Sequence, residues 1–128
     1  MRLLLDTHIM LSVVAGRPGE FGVAFAKLLN GGGHDLIVSV TSIWEAAIKW
    51  QLGKLVLERP PHDHPELLAA LGIVVMSLEA RHVLASYEPV PVTRDPFDRV
   101  LLSICRADDL KLVTADGALT GHPLAWRP

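Results

Sequence analysis

Residues 2–8 read Arg2-Leu3-Leu4-Leu5-Asp6-Thr7-His8, and the fold turns on that short run. Leu3, Leu4 and Leu5 have the character of a strand core. The run then stops at a carboxylate, Asp6, with Thr7 and His8 behind it and apolar sequence beyond. A charge at the end of a buried strand loses its hydration unless something pairs with it or a cation binds it. Asp6 therefore needs a partner that the neighbouring sequence does not supply.

Similar short apolar runs occur at Leu36–Val40, Ile73–Met76 and Lys111–Thr114, each separated from the next by helical patterning. Such alternation predicts an α/β fold, three-layered as α/β/α, around a central and mostly parallel sheet of four to five strands. A weaker run at Leu124–Trp126 is the candidate for a last edge strand. The segment from Glu20 to Asn30 sets Phe21, Ala24, Phe25 and Leu28 on one helical face and stops at Gly31-Gly32-Gly33. Ala80, Val83, Leu84 and Tyr87 repeat that spacing, as do Phe97, Val100, Leu101, Ile104 and Cys105, so both stripes are expected in the core. Proline-rich connections lie between Leu57 and Pro65 and between Glu88 and Pro96. With no internal repeat and no boundary signal, residues 1–128 read as a single domain.

Composition narrows the possible partners. A 128-residue chain buries roughly two-thirds of its unfolded surface without disulfides or a structural metal. Half of the residues are hydrophobic, which suggests apolar surface covered by self-association or by another protein. The lone Cys105 and the lack of a secretory leader are expected of a cytoplasmic chain, and no apolar run is long enough to span a bilayer. A formal net charge of −2 provides no global attraction for nucleic acid, so a polyanion would be held by local groups or through a metal.

Ligands of open parallel sheets bind beyond the carboxyl ends of the strands. Asp6 and Asp116 close the first and fourth runs at that edge, while Glu45 and Asp98 fall in the first helical turns that follow a strand and a loop. Ordinary roles exist for most of them. Ser42 and Glu45 fit a capping box, Asp95-Pro96 fits an N-cap with proline at the first helical position, and Asp116-Gly117 fits a turn. Converging together with no base between them, however, the four acids would repel one another unless a divalent cation neutralised them. Hard oxygen donors suit Mg²⁺ or Mn²⁺ rather than a structural zinc. Metal beside helix N-termini points to phosphoryl chemistry. His62 and His64 form an H-x-H pair without an assignable third ligand, Cys105 lies on an apolar helical face, and His8 is placed to touch substrate or backbone.

The blocks LLLDTH, SIWEAAIKWQLGKL, RDPFDR and LVTAD, in that order, resemble the motif blocks of the PIN domain in the branch formed by VapC-type toxins. The resemblance implies an endoribonuclease dependent on Mg²⁺ or Mn²⁺ and silenced by a VapB-type antitoxin. Carried over by position, Asp6, Glu45, Asp98 and Asp116 match the family's acidic quartet. Asp6, Asp98 and Asp116 would hold metal, and Glu45 would position or deprotonate a water for in-line attack that leaves a 5′-phosphate and a 3′-hydroxyl. Asp95 would be a cap, and Arg94 and Arg99 would contact phosphate. Many relatives carry histidine where this chain has Thr93, a departure expected to touch substrate contacts at most.

Apart from the resemblance, the helix from Ser42 to Leu52 spreads Ile43, Trp44, Ala46, Ala47, Ile48, Trp50 and Leu52 around its circumference. That makes Trp44 and Trp50 candidate anchors for a partner, the antitoxin or a second copy in a homodimer, unless Lys54–Leu57 folds over them. Two further readings compete with the ribonuclease. One is a catalytically silent RNA- or protein-binding module on the same scaffold. The other is a phosphatase with Asp6 as nucleophile, which His8 and the missing cap domain oppose.

Overall fold

The computed structural model describes residues 1–128. Four parallel strands, β1 (Arg2–Leu5), β2 (Asp35–Ser39), β3 (Val74–Met76) and β4 (Lys111–Val113), form one sheet in the order β3-β2-β1-β4. Its helices are α1 (Thr7–Val14), α2 (Val23–Asn30), α3 (Val40–Gln51), α4 (His64–Ala70), α5 (Ala80–Val83) and α6 (Pro96–Asp108). The register sets Leu4 against Ile37 on one side and Leu112 on the other, so β1 is central.

Side-chain alternation along β1 divides the core in two. Leu3 and Leu5 join Ile9, Met10, Val38, Ala46 and Leu68 on one face of the sheet. Leu4 joins Ile37, Leu101, Leu102, Ile104, Cys105 and Leu112 on the other. All three leucines are fully buried, which explains an unbroken apolar run where a half-exposed strand would alternate. Each such side chain contributes about 2–3 kcal/mol. This is the three-layer α/β/α architecture expected from the sequence.

Four local readings need correction. Strand β2 stays paired with β3 as far as Ser39 and turns directly into α3, whose cap is therefore Ser39: its Oγ accepts the Thr41 N–H at 3.0 Å. Ser42 lies inside the helix with its hydroxyl unpartnered, so there is no Ser42–Glu45 capping box, and Glu45 falls in the second turn. Helix α2 begins at Val23, because Gly22 at φ 125° breaks the helical path, and Phe21 packs edge-on against Phe25 from outside.

Of the stripe at 80–87 only Tyr87 packs against the core. Helix α5 ends at Val83, and Val83 and Leu84 are exposed. The buried residue there is His82, whose Nδ1 accepts the Glu79 N–H at 2.9 Å and whose Nε2 meets Asp108 Oδ2 at 3.0 Å. A polar clasp to the end of α6 holds this element where the apolar spacing suggested a greasy face. At the C-terminus, the expected edge strand reduces to one parallel bridge between Leu112 and Ala125. No helix is long and apolar enough to cross a membrane.

Candidate functional site

Asp6 follows β1 without a gap and caps α1, its Oδ1 accepting the Ile9 N–H at 2.9 Å. That cap is part of the answer to why a carboxylate ends a buried strand. It is not the whole of it: Asp6 is 4% exposed, and burial pushes its carboxyl above the ordinary range against the opposing pull of Thr114 and the Ile9 N–H.

Glu45 is buried on α3 and engaged at both oxygens. Thr7 Oγ1 donates to Oε1 at 2.6 Å, and Lys49, one helical turn on, donates to Oε2 at 2.5 Å. On α6, Asp95 caps the helix by accepting the Phe97 N–H at 2.9 Å, and Asp98 stands in the first turn. Thr93 links the two, its hydroxyl accepting the Asp95 N–H and donating to Asp98 Oδ2, both at 3.1 Å. The departure at Thr93 therefore reaches a site acid directly, where only substrate contacts were expected to be touched. Asp116, past β4, is exposed and forms a turn by accepting the Ala118 N–H at 2.9 Å. Its turn-forming role and its place at the site coexist.

The acids expected to converge do so. Asp6, Glu45, Asp98 and Asp116 line one narrow cleft of about 40 Å³ with Thr7, His8, Lys49 and Asp95, and no apolar side chain contributes. Burial first, then the charges of Asp95, Asp116 and Glu45, raise the Asp98 carboxyl to about 6. The expectation of an uninterrupted acidic cluster fails at Lys49, whose ammonium is held above its usual range chiefly by the Glu45 hydrogen bond, with the charges of Asp95 and Asp98 adding to it. The signal was present in the sequence, since Glu45 and Lys49 are four residues apart and share a helical face.

A divalent cation fits the carboxylate oxygens of the cleft, and it would relieve carboxyls that burial holds high in Asp6 and that burial and neighbouring acids hold high in Asp98. No three His, Cys, Asp or Glu side chains stand close enough to enclose an ion. Mg²⁺ does not require that, because it takes one or two carboxylates and keeps several waters.

Other candidates lie elsewhere. Arg99 is not among the residues lining the cleft: its Nε donates to Thr93 O at 3.2 Å, and its guanidinium covers the Tyr87 ring at 5.4 Å. Arg94 is exposed, also outside the cleft lining. His62 is exposed, while His64 is buried with Nδ1 unpartnered. Cys105 is buried, and its burial pushes the thiol up, which suits an inert core residue. Trp44 and Trp50 are both exposed, Trp44 resting edge-on against Phe97 at 5.3 Å, so Lys54–Leu57 does not cover them.

With this geometry in hand, the PIN domain family model matches residues 3–121. The chain belongs to the PIN domain family. PIN domains are generally nucleases, which accords with a carboxylate-lined cleft. This PIN domain is similar in fold to a chain of VapBC2 from Rickettsia felis, solved bound to a DNA fragment from their promoter, with a TM-score of 0.61 and 14% identity over 98% of this chain and 96% of that one. No curated protein matches the sequence.

The site makes a discriminating prediction about its two neighbouring acids on α6. Asp95→Asn is expected to keep cleavage activity within about threefold, because asparagine caps a helix nearly as well as aspartate. It should also ease ionisation of Asp98, whose carboxyl Asp95 helps to raise. Activity lost as completely as in Asp98→Asn would make Asp95 a ligand as well as a cap.

Proposed function

We propose that this PIN domain is a VapC-type endoribonuclease toxin that requires Mg²⁺ or Mn²⁺ and is silenced by a VapB-type antitoxin. The observation that carries this reading is the all-polar cleft with Asp6, Glu45, Asp98 and Asp116 at the carboxyl edge of the parallel sheet. When bound, the cation supplies Lewis-acid polarisation of the phosphodiester and eases deprotonation of water. Asp6, Asp98 and Asp116 would hold it, one or two of them directly and the rest through its waters. Thr7 fixes Glu45 through Oε1, so the carboxylate faces the cleft in one orientation and can take a proton from an attacking water. Thr93 does the same for Asp98 through Oδ2. Arg94, exposed on the loop before α6, supplies charge for a neighbouring phosphate.

A groove of about 460 Å³ containing Leu11, Phe21, Leu55 and Val56 meets the acidic cleft at His8, which lines both. An antitoxin segment with apolar side chains fits that groove and would obstruct the cleft from beside it. The exposed Trp44 and Trp50 offer further apolar contact, to the antitoxin or to a second copy.

Incubating the purified protein with RNA, with Mg²⁺ or with chelator, and sequencing the new 5′ ends tests the reading. Metal-dependent cuts bearing 5′-phosphates are expected. RNA that is bound and left intact in excess Mn²⁺ would replace the enzyme with the silent binding module, and a trapped phosphoenzyme would replace it with the phosphatase.

A further inference from the structure

The cleft contains one lysine and no arginine. We propose that Lys49 binds the RNA phosphate at the cleavage site, its ammonium passing from Glu45 to the phosphate when a divalent cation enters. This inference rests on the ribonuclease reading above and deepens it.

An ordinary explanation for Lys49 is a helical i,i+4 pair with Glu45, of the kind that stabilises an exposed helix face by about 0.3–0.5 kcal/mol. The surroundings go beyond that. Glu45 is buried and already bonded by Thr7, and the ammonium also feels Asp95 and Asp98 from a second helix. Lys49 is thus the internal counter-ion of a cleft rather than half of a surface pair. Its side chain is 37% exposed, and its flexible stem lets the ammonium change partners.

Charge balance supplies the rest. An RNA phosphate approaching five carboxylates meets repulsion unless positive charge stands beside it. Arg99 is committed to Tyr87 and the Thr93 carbonyl, and neither it nor Arg94 lines the cleft. His8 lines it but is exposed at its mouth, where the cleft meets the neighbouring apolar groove. Lys49 remains. With the charge of the acids met by a divalent cation, Lys49 would no longer be needed to balance the cleft, and its ammonium would be free to leave Glu45 for the phosphate.

The test compares wild type with Lys49→Met, Lys49→Gln and Lys49→Arg for melting with and without Mn²⁺, and for cleavage of one RNA oligonucleotide across a salt series. Lys49→Met should keep its Mn²⁺-induced rise in Tm, or enlarge it, because a competing cation is gone. Its KM should rise about tenfold, and the slope of log(kcat/KM) against log[salt] should flatten by about 0.7–1, the signature of one lost phosphate contact. Lys49→Arg should restore both. An unchanged salt slope, or a fall in kcat with KM unmoved, would make Lys49 only the partner of Glu45 and overturn the proposal. Should Lys49→Met not fold, glutamine keeps a donor for Glu45 without the charge: a flattened slope in Lys49→Gln and not in Lys49→Arg supports the phosphate contact, and equal slopes overturn it. Wild type that leaves RNA intact would remove the ribonuclease reading along with this one, whereas an active wild type with an indifferent Lys49 removes this one alone.

Discussion

Asp98→Asn is expected to lower RNA cleavage by about 100-fold or more while making the metal-free protein more stable at pH 7. With Asp98 a ligand of the proposed metal site, the loss follows from removing its charge, since even groups that merely support a metal ligand are worth about 10–100-fold. The gain follows from the position of the carboxyl. Burial and the charges of Asp95, Asp116 and Glu45 lift it from 3.8 to about 6, so the folded state holds that proton more tightly than the unfolded state does. The stability contributed by that proton is present below about pH 4 and is lost as pH rises to about 6. At pH 7 the group is ionised against its surroundings, and a neutral asparagine relieves the strain while its carbonyl oxygen still accepts the Thr93 hydroxyl. Cleavage assays and melting in chelator measure the two effects. A variant that cuts at the wild-type rate would remove Asp98 from the site, and one that melts lower than wild type in chelator would mean that its carboxylate is a stabilising part of the fold.

The second large effect is stabilisation by the cation itself. An ion that binds only the folded state at 100 times its dissociation constant adds about 2.7 kcal/mol, which in a chain of this size raises Tm by roughly 10 °C. Mn²⁺ or Mg²⁺ should produce that shift at pH 7.5, and Asp98→Asn or Asp116→Asn should shrink it. The shift should also fade as pH drops through about 6, because Asp98 takes up its proton there and Asp6, raised by burial, follows in the same direction. Melting curves across pH with and without Mn²⁺ provide the check. A Tm indifferent to metal at every pH would mean that the acids share a cleft without sharing an ion, returning Asp6 to the role of cap and Asp116 to that of turn.

The two effects pull against each other. Five carboxylates lining one cleft cost the metal-free fold stability, and Lys49 offsets part of that cost. The lysine was the largest omission in the sequence reading. It stands four residues after Glu45 on the same helical face, a spacing that pairs the two side chains but does not say what else the ammonium meets. The approach of α6, which brings Asp95 and Asp98 to the ammonium, makes it part of the cleft.

Chain-local patterns determined the strands, the long helix from Pro96 and the order of the acids. The runs Arg2–Leu5, Leu36–Val40, Ile73–Met76 and Lys111–Thr114 each locate a strand to within a residue or two at its ends because apolar runs between helical segments have few alternatives, and Asp95-Pro96 is read correctly because a cap acts within one turn of its own helix. The same local logic placed a cap at Ser42, where the spacing to Glu45 fits a capping box. Both serines precede a plausible helix, and only the pairing of Ser39 with Met76 on β3 shows where the strand ends. Local spacing also put Val83 and Leu84 in the core, whereas the clasp of His82 on Asp108, 26 residues away, turned that face to solvent. By itself, then, the sequence determined the α/β order and which acids end up at one sheet edge, because periodicity and caps depend on neighbours within a turn. Only the tertiary structure decided which polar side chains face those acids, because that contact joins α1, α3 and α6, elements whose packing no stretch of the chain encodes locally.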